Sequence, residues 1–136
     1  MRQMLNLDYK CMEYGQKISE ISDSKLENNL RKALGVLQED GIYAMFLWLE
    51  EKDKSKRIRK ELINHINEGE IKKYLLKESE NFNGEDFSKF CEKLREVAKD
   101  KDIDKVLFMK KLLARTLTYA LYHAKVKEGG DGDERE

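Results

Sequence analysis

Proline is absent from the chain, so no pyrrolidine ring interrupts a helix anywhere along it. Its two cysteines, Cys11 and Cys91, stand eighty positions apart without companions, which excludes a zinc knuckle and a disulfide framework and points to a reducing compartment. Histidine is as sparse: His65 and His123 fall in no HExxH or CxxC pattern, so no metal ligand set is legible. The glycines form neither GxxxxGKS nor GxGxxG, which removes the main phosphate cradles and, with them, an implied nucleotide cofactor. The longest apolar run, Ile42 to Leu49, is eight residues, against the roughly 18 that a membrane span needs. The opening MRQMLNLDYK has polar and acidic residues where a signal peptide would be apolar, so a cytoplasmic protein is expected. Glutamine is scarce beside abundant Lys and Glu, a bias of proteins from very hot organisms.

What is there is helical. At 136 residues the chain suits one domain with one core, and its Lys, Glu, Leu and Arg content favours helices throughout. Apolar stripes at helical spacing mark Met4 to Ile21, Leu26 to Leu37, Ile58 to Ile66, Ile71 to Leu75 and Phe87 to Ala98. Ser24 is the expected N-cap of the second helix, and Gly41 its end, with Asp40 placed to cap the next. That next helix, IYAMFLWL, has no polar face and is expected to be buried on nearly every side, with Trp48 as an anchor. No partner strand exists for it, so a strand reading fails.

The longest pattern runs from Asp102, its expected N-cap, to Lys127. Ile103, Val106, Leu107, Leu113, Ala114, Leu117, Ala120, Leu121 and Ala124 form a broad inner face, while Phe108, Leu112, Tyr119 and Val126 form a second row. Beyond it, Glu128 to Glu136 holds five acids and one base, and is expected to be a disordered acidic tail on a bundle of residues 1–127. The bundle therefore carries 26 bases against 22 acids. The expected fold is all-α, a single antiparallel bundle of six to seven helices.

Cations are the one feature with a functional reading. After the apolar helix, Lys52, Lys54, Lys56, Arg57, Arg59 and Lys60 outnumber Glu50, Glu51 and Asp53. Lys110, Lys111 and Arg115, with Thr118, share one side of the last helix, and Lys72, Lys73 and Lys77 cluster on the short fifth. Singly, each group reads as a solvated face; together they suit contact with a phosphate backbone, insensitive to base sequence. No catalytic constellation stands out among the 27 acids, so an enzyme is not expected.

Two stretches carry a resemblance. Arg31 to Lys52, RKALGVLQEDGIYAMFLWLEEK, resembles a motif of the small subunit of type III-B CRISPR effector (Cmr) complexes, with Asp40-Gly41 for the usual Asn-Gly, Ile42 for the following aliphatic, and Trp48 and Lys52 for an aromatic and a lysine. Asp104 to Val126 is similar to that family's closing helix, with Tyr119 in place of a tryptophan. Leu34 stands for a usual proline, and Leu121-Tyr122 for a usual basic pair, with Lys125 and Lys127 the nearby cations. The resemblance implies a non-catalytic helical subunit that stacks with further copies of itself and other effector subunits, and touches guide and target RNA in antiviral defence. It implies no cofactor, no small-molecule substrate and no membrane. The expected RNA-backbone contacts are Lys52, Lys54, Lys56, Arg57, Arg59, Lys60, Lys110, Lys111, Arg115 and Lys125. The expected core anchors are Trp48, Leu113, Leu117, Tyr119 and Leu121. An alternative reading is a free-standing adaptor that homodimerises through Phe108, Leu112, Tyr119 and Val126 without RNA.

Overall fold

The computed structural model describes residues 2–53, 56–99 and 103–133, with side chains for 7–53, 56–99 and 103–127. Lys54, the Asp102 cap, the side chain of Met4 and residues 134–136 of the tail lie outside the described residues. Within them the chain forms seven helices and no strand: α1 (Arg2–Ser19), α2 (Leu26–Asp40), α3 (Ile42–Lys52), α4 (Arg57–Ile66), α5 (Gly69–Leu75), α6 (Phe87–Lys99) and α7 (Ile103–Asp133). None of these helices is long and apolar enough to cross a membrane, among the described residues.

The bundle is assembled around α7, which packs most extensively on α1 and then on α2, with α6 at its far edge. α1 also carries α4, and α3 bridges α2, α4 and α6. The α1–α7 crossing is tight because Gly15 has no side chain there: a Cβ would lie 2.7 Å from Tyr119 Cβ and 3.0 Å from the Ala120 amide nitrogen. Between these helices sits one continuous core, in which Ile18, Leu30, Leu37, Met45, Phe46, Leu49, Leu62, Ile63, Phe90, Leu113 and Leu117 are inaccessible to water. Each such aliphatic or aromatic side chain contributes about 1.5–3 kcal/mol.

Several local expectations need correction. Ser24 does not cap α2: the helix starts at Leu26 after a turn in which Asp23 Oδ1 accepts the Lys25 amide at 2.9 Å, and no side chain caps the helix itself. Asp40 does not cap α3, because it is the last residue of α2 and the corner is a single residue. That residue is Gly41, at φ 100°, a left-handed backbone that favours glycine; its amide donates to Val36 and Leu37 carbonyls and its own carbonyl accepts from Met45. α3 is not buried all round: Ile42, Met45, Phe46 and Leu49 face inward, Trp48 is half-buried and Leu47 is exposed, since neighbours cover only one side of this edge helix. The backbone of α7 is helical as far as Asp133. An existing helix adds residues without a new nucleus.

On α7 the inner face is also rotated from its expected position. Met109, Leu112, Leu113, Thr116, Leu117, Ala120 and Ala124 form the buried arc, while Ile103 and Leu107, expected inside, point to solvent. Thr116 enters the core because its hydroxyl donates back to the Leu112 carbonyl at 2.8 Å. Of the expected anchors, Leu113 and Leu117 are fully buried, whereas Trp48, Tyr119 and Leu121 are half-buried against the core's edge. The connection from α5 to α6 supplies an unexpected core residue, Phe82, pinned by Asn67: its amide donates to Asn67 Oδ1 and its carbonyl accepts from Asn67 Nδ2, both at 2.8 Å.

Candidate nucleic-acid interface

The two cation groups expected to face RNA lie on different parts of the bundle, and folding treats them differently. At the α3–α4 corner, Asp53 is wholly buried and its Oδ2 accepts the Ile58 amide at 3.1 Å, closing the start of α4. Lys56 adopts a left-handed φ of 61° and turns inward, its ammonium donating to the Glu50 carbonyl and lying 3.9 Å from Glu50 Oε1. Arg59 is only 9% exposed, with its guanidinium 3.3 Å from Glu50 Oε1 and 5.1 Å above the Phe87 ring. Neither Glu50 Oε1 nor Arg59 Nε gains a hydrogen-bond partner, so charge and ring contact hold this pair together. Arg59 and Lys56 are therefore engaged by Glu50, Arg59 buried and Lys56 half-exposed. Lys52, paired with Glu51 at 3.0 Å, and Arg57 and Lys60 are exposed on the same corner.

Along α7, Lys110 donates to the Gln38 carbonyl at 3.4 Å, tying α7 to the end of α2. Arg115 Nε donates to Asp8, whose carboxylate also accepts from Tyr119 Oη at 3.1 Å, and the guanidinium lies 5.8 Å from the Tyr119 ring centroid. The Arg115 hydrogen bond holds the Asp8 carboxyl below the usual carboxylate range, and Asp8 in turn raises Arg115. Lys111 and Lys125 are exposed, as are Lys73 and Lys77 near α5. The exposed cations thus lie in separate places: Lys52 and Lys60 on the helices flanking the α3–α4 corner, Lys111 and Lys125 on α7, and Lys73 and Lys77 near α5.

The row proposed for homodimerisation is spent inside the molecule. Leu112 is buried, Phe108 meets Tyr74 edge to face with ring centroids 4.9 Å apart, and Tyr119 is bonded to Asp8, leaving only Val126 of the four exposed. Sequence periodicity placed these residues on one side but had no means of showing that α1 and α5 cover it.

Folding brings one candidate nucleophile and base together: Cys11 Sγ lies 3.8 Å from His65 Nε2. Both are sealed in the core, and His65 stacks on Tyr14 at 4.5 Å between centroids, with Nδ1 unpartnered. Burial pushes the Cys11 thiol up and the His65 imidazole down to about 4, so the pair is thiol and neutral ring, the wrong charge state for attack. A cleft of about 200 Å³ beside α1 and α5 contains Lys10 and Glu68, but Glu68 Oε1 already accepts from Tyr14 Oη at 2.7 Å. A second, of about 240 Å³, lies between α3, α6 and α7 and is chiefly apolar, with Arg95 donating to Tyr43 Oη at 2.6 Å at its edge. Among the described residues, no three of His, Cys, Asp and Glu converge as a metal site requires.

No family model, no curated protein and no solved structure matches the chain.

Proposed function

We propose that this protein is a non-catalytic small subunit of a type III-B CRISPR ribonucleoprotein effector, acting in the cytoplasm. The observation that carries the reading is spatial: the two stretches resembling that family, 31–52 and 104–126, fall on α2, α3 and α7, and α2 packs against both α3 and α7. They form one continuous piece of the bundle instead of two unrelated matches. A modest, dispersed set of exposed cations also suits a subunit held in place by neighbours, because tethering raises the effective concentration of a weak contact. RNA-backbone contact is assigned to Lys52 and Lys60, both exposed on α3 and α4, the two helices that flank the α3–α4 corner.

The test is affinity purification of the tagged chain from its own cells, with sequencing of any RNA recovered. Recovery of discrete guide RNAs with large effector subunits supports the assignment; recovery alone or with unrelated proteins and no RNA defeats it. In the purified assembly, Lys52→Glu combined with Lys60→Glu is expected to weaken retention of target RNA and to reduce its salt dependence. Unchanged retention across a salt series would remove this corner from the RNA contact.

A further inference from the structure

The outward side of α7 presents a combination that neither folding nor phosphate contact uses. Ile103, Leu107, Tyr122 and Val126 are 69%, 48%, 61% and 72% exposed, so one helix carries four large apolar side chains in water. Single exposed apolar residues are ordinary, but these form two pairs at i,i+4 spacing, Ile103 with Leu107 near one end and Tyr122 with Val126 near the other, and a pair on one helix side marks a surface that meets something. From Leu107 the positions Leu107, Lys111, Ala114, Thr118, Leu121 and Lys125 alternate steps of four and three, the spacing at which one helix presents a seam to another; Leu107, Lys111 and Lys125 are exposed and Ala114, Thr118 and Leu121 half-buried. The middle of that seam is small, Ala114 and Thr118, with the Thr118 hydroxyl folded back onto the Ala114 carbonyl at 2.7 Å. Larger side chains stand at both ends. A neighbouring backbone can therefore approach at the centre while its apolar side chains lodge beside Leu107 and Tyr122.

Charge selects the occupant. From Lys105 to Lys127 the chain contains Lys105, Lys110, Lys111, Arg115, Lys125 and Lys127 and not one acid, so that exposed Asp104 is the single acid of the stretch from Ile103 to Val126. A second copy of α7 laid on this face would set Lys111 and Lys125 against cations. A nucleic acid would satisfy the cations but leave Ile103, Leu107 and Val126 in water. An amphipathic helix with acids flanking an apolar stripe satisfies both features.

We propose that the outer face of α7 between Ile103 and Val126 docks an acidic amphipathic helix of a partner protein. The assignment goes beyond RNA contact at the α3–α4 corner and does not depend on it.

The test uses the full chain and a fluorescein-labelled 24-residue helical peptide with Leu at the seam positions and Glu beside them, its twin with Lys for Glu, and a labelled 20-nucleotide oligouridine. Fluorescence anisotropy should give saturable binding of the acidic peptide and at least tenfold weaker binding of the basic twin. Leu107→Glu and Tyr122→Glu, both at exposed positions, should each weaken the acidic peptide at least tenfold with an unchanged circular dichroism melt. Lys73→Glu, on α5, should change it less than twofold. Absence of saturable binding, or equal binding of the two peptides, overturns the proposal. So does oligouridine binding lost in the same two variants without peptide binding, which gives the face to RNA, or a dimer of the unliganded protein abolished by them, which gives it to a second copy.

Discussion

The chain has two basic stretches that look alike as text and differ as structure. In residues 52–60 the cations flank the junction of α3 and α4, and two of them, Lys56 and Arg59, reach back to Glu50 on α3. In residues 105–127 the cations are spread along a continuous helix, with Lys111 and Lys125 left in solvent. The difference lies in what stands opposite each stretch. Glu50 on α3 faces Lys56 and Arg59 across the junction of two helices, in a partly dry space, whereas Lys111 and Lys125 stand on a side of α7 that no described helix covers. A basic run at a corner is therefore as much a folding device as a binding surface.

The sharpest way to break that distinction is to reverse one charge in each stretch. Arg59→Glu would place a second carboxylate beside Glu50 under Phe87 and should cost about 3 kcal/mol or more, read from the urea midpoint. Should it unfold no earlier than wild type, the contact between Glu50 and Arg59 does not exist. Next in size is a pH effect on α4. His65 is held neutral with its pKa down at about 4, below the ordinary value of 6.5, so the unfolded chain takes up a proton first as pH falls. Stability should decline from near pH 6.5 and level off near pH 4, by up to about 3 kcal/mol. In His65→Phe, which keeps a ring against Tyr14 and cannot titrate, that part of the slope should vanish. The carboxyls of Asp8 and Glu80, held low by Arg115 and Lys93, stabilise the fold above their ordinary values and lose that contribution as pH falls through their lowered ones, at the acid end of the His65 window.

Gly15→Ala probes the inner side of α7, since its methyl would meet Tyr119 and force the two helices apart, at about 2 kcal/mol. A melt unchanged by this substitution would mean that the α1–α7 crossing is looser than described. The smallest effect belongs to Lys111→Glu, on the outer side, which should alter stability by less than about 0.5 kcal/mol. A larger loss would show that the helix row, like the corner, is structural.

Much of the fold was legible because helical periodicity is a local property: the stripes of α2, α4 and α6 reappear as buried Leu30, Leu37, Leu62, Ile63, Ile66, Phe90 and Leu94. On α7 the pattern was ambiguous because apolar residues surround the helix, and the choice of inner arc depended on where α1 and α2 land. The inward side was marked by Met109 and Thr116 in place of Ile103 and Leu107, a substitution that no hydrophobicity pattern favours. The candidate interface was legible only as composition. Glu50 and Arg59 meet across the turn between α3 and α4, Asp8 and Arg115 across the length of the chain, and neither pairing leaves a trace in spacing.

Asn67 offers a practical consequence. By giving and accepting one hydrogen bond with the same residue, its side chain stands in for a strand neighbour and divides the path from Leu75 to Phe87 into two independent spans. The first span runs from buried Leu76 to Phe82 and turns at Ser79, an exposed residue at a φ of 73° on its solvent side. Between Glu78 and Ser79 the chain should accept an inserted epitope, or even new termini, while Phe82 stays seated. That position gives an attachment point remote in sequence from both basic stretches, so that a tag used for recovery need not occupy either.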